Sequence, residues 1–372
     1  MTEMPPLSII ALRKLRPVLL LAAFGLLSGC NLVLLNPAGD VAQQQGDLIV
    51  YATILMMLVI GPVMAATLFF AWRYRDSNEE ARYEPEWGHS ISLEIVVWAV
   101  PLAIIILLAG LTWVATHRLD PYADLRRISE TQAIDPNVEP MQVQVVALDW
   151  KWMFIYPEEQ IATVGEMAVI KDRPVEFKLT SNTVMNAFYV PNMAGMIYAM
   201  AGMETELNAV LNAPGTFEGF AANYNGGGFS QMRFDLKSFD TEEEFNAWVE
   251  TVRVEGEPEL SDDAFNAVAA PSIFEEVEYF ASLEDGIYDR ILNMCTREGE
   301  LCLDDQMMVD ALGGGGLDGL HNRLVFAGLC DADDPRALLA LLRPEVRDDE
   351  ESLLAVLMPP TQSEPILQSR SN

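Results

Sequence analysis

Residues 141–156 read MQVQVVALDWKWMFIY. Apolar and polar side chains alternate through the first half, which is the two-residue period of a half-buried β-strand. Two further runs behave the same way, PVEFKLTS from Pro174 and MRFDLKSF from Met232. Turn formers separate these runs, among them Asn192, Pro214-Gly215 and the triple glycine Gly226 to Gly228. Short strands punctuated in this way predict an antiparallel β-sandwich or barrel that begins near Glu139.

After Phe239 the period changes. Thr241-Glu242-Glu243-Glu244 has the Thr-x-x-Glu form of a helix capping box. Phe245, Trp248, Val249 and Val252 then recur at helical spacing, so one face of a helix is apolar. A helical cap is expected to follow the sheet.

Before the strands lie two long uncharged stretches, Leu48 to Trp72 and Ile95 to Thr116. Both exceed the about 20 residues needed to cross the hydrocarbon of a bilayer. Trp72, Arg73 and Tyr74 close the first, and Trp113, His117 and Arg118 close the second, as interfacial anchors do. Pro62 and Pro101 fall inside them and are tolerated where neighbouring helices satisfy the freed backbone. Arg73, Arg75 and Arg82 lie in the connecting loop, whereas Asn31 to Asp47 has no Lys or Arg. The loop is therefore expected on the cytoplasmic side, with everything beyond about Leu119 outside.

The first residues support that placement. Arg13, Lys14 and Arg16 precede the apolar run PVLLLAAFGLL and then Leu27-Ser28-Gly29-Cys30. A charged start, a short apolar middle and a small-residue exit make a secretory signal. With Cys directly after the small residues it resembles a bacterial lipoprotein signal, which implies cleavage before Cys30 and lipid attachment at its thiol. Such a chain anchors only modestly beside two spanning helices.

The chain carries 55 acidic against 23 basic residues, a formal charge of −32. Nucleic-acid binding and charge-driven docking on anionic lipid both need clustered Lys and Arg, so both are excluded as its business. There are four Cys. In an oxidising compartment Cys295 and Cys302 are placed for a disulfide, leaving Cys330 unpaired.

Residues 219–232, GFAANYNGGGFSQM, and the segment TSNTVMNAFYVP from Thr180 raise the functional question. Two membrane helices followed by an external sandwich with these two segments resemble subunit II of the haem-copper terminal oxidases. In the branch that oxidises cytochrome c, the later segment carries Cys-x-x-x-Cys-x-x-x-His-x-x-Met and the earlier one a His. Those ligands hold a two-copper centre bridged by thiolates. In this sequence the Cys positions fall on Ala221 and Asn225, the loop His on Phe229, the upstream His on Asn186, and the carbonyl ligand on Asn223. Only Met232 keeps the type, and a lone thioether does not hold copper against water. A mononuclear blue-copper site fails as well, since it needs two His and a Cys. The three His are His89, His117 and His321. His89 and His117 flank one spanning helix about 42 Å long and cannot share a metal.

A copper loop stripped of its ligands resembles subunit II of a quinol oxidase of the cytochrome bo type. VVWAVPLAIIILLAGLTW, DWKWMFIYPE, TSNTVMNAFYVPNMAGMIYAMAGM and AAPSIFEEVEYF carry the likeness, which runs from Cys30 to about Leu283. The resemblance implies a membrane protein with two transmembrane α-helices, a periplasmic cupredoxin-like antiparallel β-sandwich and C-terminal helices. It also implies a proton-pumping complex in which ubiquinol is oxidised and oxygen reduced to water. Haem and copper belong to subunit I there, and no cofactor to this chain. Partners are then subunit I, the other membrane subunits and membrane lipid, in a bacterial inner membrane. The lipid-soluble donor needs no external copper relay, and this subunit packs its helices on subunit I.

Glu94 stands where SISLEIVVWAV turns from polar to apolar. An ionisable residue at a membrane edge is a functional candidate, and the resemblance implies a role at the mouth of a proton channel. A carboxylate favoured by the helix N-terminus is the structural alternative. Trp150 and Trp152 correspond to an aromatic cluster on the electron-entry route of the cytochrome c branch, but packing is the expected role here. Met193, Met196, Met200 and Met203 are expected to pack at an interface. The domains expected are a signal over 1–29, a lipid-anchored two-helix domain over 30–118, the sandwich over 119–240, a helical cap over 241–295 and an acidic extension over 296–372. The last has Gly313 to Gly316 as a joint and a polar, Pro-rich end. Two alternatives stand beside the quinol oxidase reading: a cytochrome c oxidase subunit II, and a free-standing membrane lipoprotein with a binding sandwich.

Overall fold

A computed structural model describes residues 33–311 apart from Tyr83, Pro136, Phe274, Glu275 and Glu298. The signal segment, Cys30, His321, Cys330 and the acidic end lie outside the described residues.

Two helices lead. α1 spans Asp40–Arg73 and α2 spans Ile91–Arg118, with Pro62 and Pro101 in their interiors. Both are long and apolar enough to cross a membrane. Each is longer than its uncharged stretch predicts, and in α1 the extra length has a physical reason. Its first two turns leave the apolar span and bury Asp40, Val41, Ala42 and Gly46. Gly39, ahead of the helix, donates its N–H to the Asn192 carbonyl at 2.7 Å. A side chain there would meet the Val210 and Met193 carbonyl oxygens at 2.6 and 2.7 Å, so the backbone approach requires glycine.

Beyond a small hairpin of β1 (Arg127–Ser129) and β2 (Gln132–Ala133), the strands form two stacked sheets. The six-stranded sheet contains β3 (Met141–Ala147), β4 (Trp152–Tyr156), β5 (Ile161–Val164), β7 (Val175–Ser181), β10 (Thr205–Ala209) and β13 (Glu278–Phe280), ordered β10-β7-β3-β4-β5-β13. The five-stranded sheet contains β6 (Glu166–Ile170), β8 (Asn186–Tyr189), β9 (Ile197–Ala199), β11 (Gly215–Ala221) and β12 (Arg233–Phe239), ordered β6-β12-β11-β8-β9. Pairings are antiparallel except β3 with β7 and β6 with β12.

Residues 141–156 are not one strand but the two arms of a hairpin, β3 and β4, paired from Gln144↔Ile155 to Ala147↔Trp152. The turn between them is tight enough to hold Trp150 at φ 66°. Alternation survives only in the first part of β3, because β4 is buried throughout. Trp152, Phe154 and Tyr156 face the five-stranded sheet with Phe177, Phe188 and Phe234. Met153 and Ile155 face the other way, into a second cluster with Leu260, Phe265, Phe280, Ile287 and Ile291. The C-terminal segment therefore covers the outer face of the sheet, which explains why WMFIY is apolar on both sides.

That segment contains α3 (Glu242–Glu255), α4 (Asp262–Val268), α5 (Ile287–Leu292) and α6 (Leu303–Ala311), and it contributes the edge strand β13, which the sequence does not foretell. The N-cap half of the capping box at α3 forms, Thr241 Oγ1 accepting from Glu244 N at 3.3 Å, while Glu244 Oε2 reaches back one residue further and accepts from Asp240 N at 3.1 Å. Phe245, Trp248, Val249 and Val252 are the buried face of α3. Cys295 and Cys302 are joined as a disulfide.

Candidate functional site

The positions that the resemblance matches to copper ligands converge at one end of the five-stranded sheet. Asn186 opens β8, Ala221 ends β11, Phe229 starts a 3-10 turn over Phe229–Gln231, and Met232 precedes β12. Ladder geometry fixes their approach: Ala221 N donates to Met232 O at 3.0 Å, and Ala222 N to Ala187 O at 2.9 Å. Asn186 and Met232 are wholly buried and Ala221 almost so.

At these positions side-chain amides meet one another. Asn225 Nδ2 donates to Asn186 Oδ1 and also lies 3.0 Å from the Met232 thioether sulfur. Asn186 Nδ2 in turn donates to Val184 O at 2.8 Å. Asn223 turns away, its Nδ2 reaching Met185 O at 3.4 Å, and Phe229 packs edge-on against Tyr224. Neutral amides are poor ligands for a soft metal, so the site is closed by hydrogen bonds among the substituted residues. Among the described residues no three His, Cys, Asp or Glu side chains cluster as a metal site would require.

The glycines of the loop serve packing. Gly226 has φ 118°, and at Gly228 a Cβ would stand 2.3 Å from the Trp150 ring. The loop thus lies flat on the indole, whose Nε1 donates to Asn225 O at 3.3 Å. What this loop holds is Trp150. Trp152 sits beneath it in the core, with ring centroids 5.4 Å from Phe188 and 6.0 Å from Phe234. Both tryptophans are thus packed, as expected. Of the four methionines, Met193 is buried while Met196 and Met203 are more than half exposed.

At the other end of the chain's apolar region, Ser90 caps α2 and Glu94 occupies its first turn. Glu94 Oε1 pairs with His89 Nδ1 at 2.6 Å, both side chains being more than half exposed. A carboxylate in this first turn suits the helix N-terminus, and the histidine contact holds it there. His117, by contrast, packs at a tilt against Trp113 at the far end of α2, ring centroids 4.6 Å apart.

One buried group escapes sequence reading. Glu166, in the otherwise apolar EMAVI of β6, is almost fully enclosed. Its Oε1 accepts from Trp248 Nε1 at 2.7 Å and Tyr279 OH at 3.0 Å, and its Oε2 pairs with Lys237 Nζ at 2.7 Å. Burial and the Glu166 carboxylate both push the Tyr279 hydroxyl's pKa up. A single acid in an apolar strand, with a Trp on the apolar face of the following helix, is the only advance signal of it.

Residues 255–299 match the COX Aromatic Rich Motif family, which is the segment that covers the outer sheet face. The chain is 43% identical over 301 residues to the cytochrome bo(3) ubiquinol oxidase subunit 2 of Pseudomonas aeruginosa, covering 81% of this chain and 86% of that one. It is 45% identical over 267 residues to the ubiquinol oxidase subunit 2 of Acetobacter aceti, covering 72% and 84%. Among solved structures, the periplasmic domain of subunit II of the cytochrome oxidase of Bradyrhizobium japonicum aligns with 32% of this chain and 96% of its own, at 21% identity and a TM-score of 0.30. With more than two fifths of the aligned residues identical across most of this chain and of both relatives, this chain belongs to the ubiquinol oxidase subunit 2 family.

Proposed function

We propose that this chain is the second subunit of a proton-translocating quinol oxidase in a bacterial inner membrane, a complex that oxidises ubiquinol and reduces oxygen to water. The observation that carries this reading is the closed loop: Asn225 bridges Asn186 and Met232 where a copper relay would need thiolates and imidazoles. A water-soluble donor such as cytochrome c needs an external relay, whereas a quinol delivers its electrons from within the membrane. The relatives named above are ubiquinol oxidase subunits, which favours the same donor. Haem and copper are assigned to subunit I, and the role of this chain is to hold the outer face of the complex and pack α1 and α2 against its partners.

In this arrangement the sandwich faces the periplasm, the loop between α1 and α2 faces the cytoplasm, and Cys30 is the lipid-attachment point after removal of residues 1–29. The division into helices to residue 118, sandwich to 240, cap to 295 and acidic extension is part of the same proposal. Glu94 then lies at the cytoplasmic mouth of a proton path, at the membrane edge, hydrogen-bonded to His89. Replacing Glu94 by Ala in the assembled complex is expected to lower turnover and pumping with haem content unchanged. Full turnover and pumping in that variant would remove the role.

Purification through a tag on this chain tests the main reading. Haem should copurify, ubiquinol should drive oxygen uptake, and copper should not exceed what subunit I accounts for. Extra copper with turnover on reduced cytochrome c would restore the cytochrome c oxidase alternative. Haem-free protein would favour the free-standing lipoprotein.

A further inference from the structure

A cavity of about 350 Å³ opens between the outer ends of α1 and α2 and the base of the sandwich. Its depth relative to the membrane follows from helix geometry. Gln44 and Gln45 line it three to four residues before the apolar stretch of α1, or about 5–6 Å along the axis. Arg118 lines it two residues past the apolar stretch of α2, about 3 Å. The headgroup layer of a bilayer adds about 5–7 Å to each side of the hydrocarbon. The cavity thus lies at headgroup level.

Its charges are arranged in an unusual way for so acidic a chain. Asp40, almost fully buried, is already satisfied by Arg127 Nε and Gln44 Nε2, both at 2.8 Å. Arg118 and Arg126 also line the cavity, and among the described residues neither has an ion-pair partner. Both arginines are exposed, so their guanidinium groups are open to an anionic group at this depth. Asp120 and Asp124 line the same space, and Asp124 likewise has no partner among the described residues. Two free guanidinium groups and two carboxylates balance to zero. Arginine forks match phosphate geometry, and a carboxylate matches an ammonium.

We propose that this cavity seats the headgroup of a zwitterionic aminophospholipid, its phosphodiester on Arg118 and Arg126 and its ammonium on Asp120 and Asp124. A purely anionic lipid would meet the same arginines but also two uncompensated carboxylates. The inference requires only that α1 and α2 cross a membrane, and it stands or falls separately from the oxidase reading.

The test uses the full chain, tagged and extracted in mild detergent with whatever copurifies, and counts retained lipid by mass spectrometry. The native protein is expected to retain phosphatidylethanolamine in preference to phosphatidylglycerol. Arg118→Ala with Arg126→Ala should lose retained lipid roughly tenfold, the ratio that about 1.4 kcal/mol sets. Asp120→Asn with Asp124→Asn should keep a lipid but shift the preference to phosphatidylglycerol. Equal lipid in the native protein and a folded double-arginine variant overturns the proposal. So does displacement of the lipid by millimolar inorganic phosphate, which would mark a free-anion site. If the arginine variant fails to fold, an unchanged preference in the aspartate variant overturns it instead.

Discussion

Glu166 offers the sharpest test of how the C-terminal segment is held on the sandwich. Its two oxygens have different duties: Oε1 accepts from Trp248 and Tyr279, and Oε2 faces Lys237, whose side chain is about a third exposed at 36%. Glu166→Gln can keep the carbonyl oxygen toward Trp248 and Tyr279 and sacrifice only the lysine contact. Lys237 then turns to water, so the cost should be about 1 kcal/mol, in the range of partly exposed ion pairs. Glu166→Leu removes both acceptors. Trp248 Nε1 is left buried without a partner, a penalty of about 1–3 kcal/mol, while half-buried Tyr279 reaches water at lower cost. Extra apolar burial offsets part of this, and the net expectation is about 2–4 kcal/mol. At about 2–4 °C per kcal/mol for a domain of this size, the Gln variant should melt about 2–4 °C lower and the Leu variant about 4–16 °C lower. Thermal unfolding of the detergent-solubilised chain, followed by near-UV circular dichroism, reads both. Equal losses for Gln and Leu would show that the lysine pair, not the acceptor oxygen, is what matters, and would refute this ranking.

Three other outcomes follow from the same structure. Tyr156 is fully buried, its OH donating to Ala168 O at 3.1 Å and accepting from Ala168 N at 2.8 Å, and burial drives its pKa above the ordinary 10.0 against the pull of that backbone contact. Its folded-state pKa is raised, so its contribution is level below pH 10 and is lost above it; unfolding free energy should fall there by up to about 1.4 kcal/mol per pH unit, a slope Tyr156→Phe should reduce. Gly228→Ala puts a methyl group into the Trp150 indole and should cost about 1–3 kcal/mol with a shift in tryptophan emission; an unshifted spectrum at native stability would contradict the packing described. Reducing the Cys295–Cys302 disulfide, which spans a sequence separation of 7, removes about 2.5 kcal/mol on a chain-entropy basis, and hydrogen exchange should rise over 296–311 while β3 and β4 stay protected.

What the sequence could and could not announce divides along a physical line. Period and hydropathy report how much of a segment is buried, so α1, α2, β7, β12 and the apolar face of α3 were legible; the positions Asn186, Ala221, Asn225, Phe229 and Met232 were singled out by the resemblance alone. Period does not report what lies on the far side of a sheet. The run WMFIY departs from alternation because Leu260, Phe265, Phe280 and Ile287 arrive from more than a hundred residues later to cover its second face. The same limit hid β13, Glu166 and the Asp40–Arg127 pair, each of which needs a partner distant in sequence. It also bears on why this loop keeps its path without metal-ligating side chains. Here the loop's path is set by the β11–β12 ladder, by Gly226 at positive φ and by Gly228 lying on Trp150, contacts made by backbone and glycines rather than by side chains at the ligand positions. With the backbone held by those contacts, the side chains at positions 186, 221, 225 and 229 do not set the loop's path, though they pack and bond within it. Amides that bond to each other then fill the site without altering the fold around it.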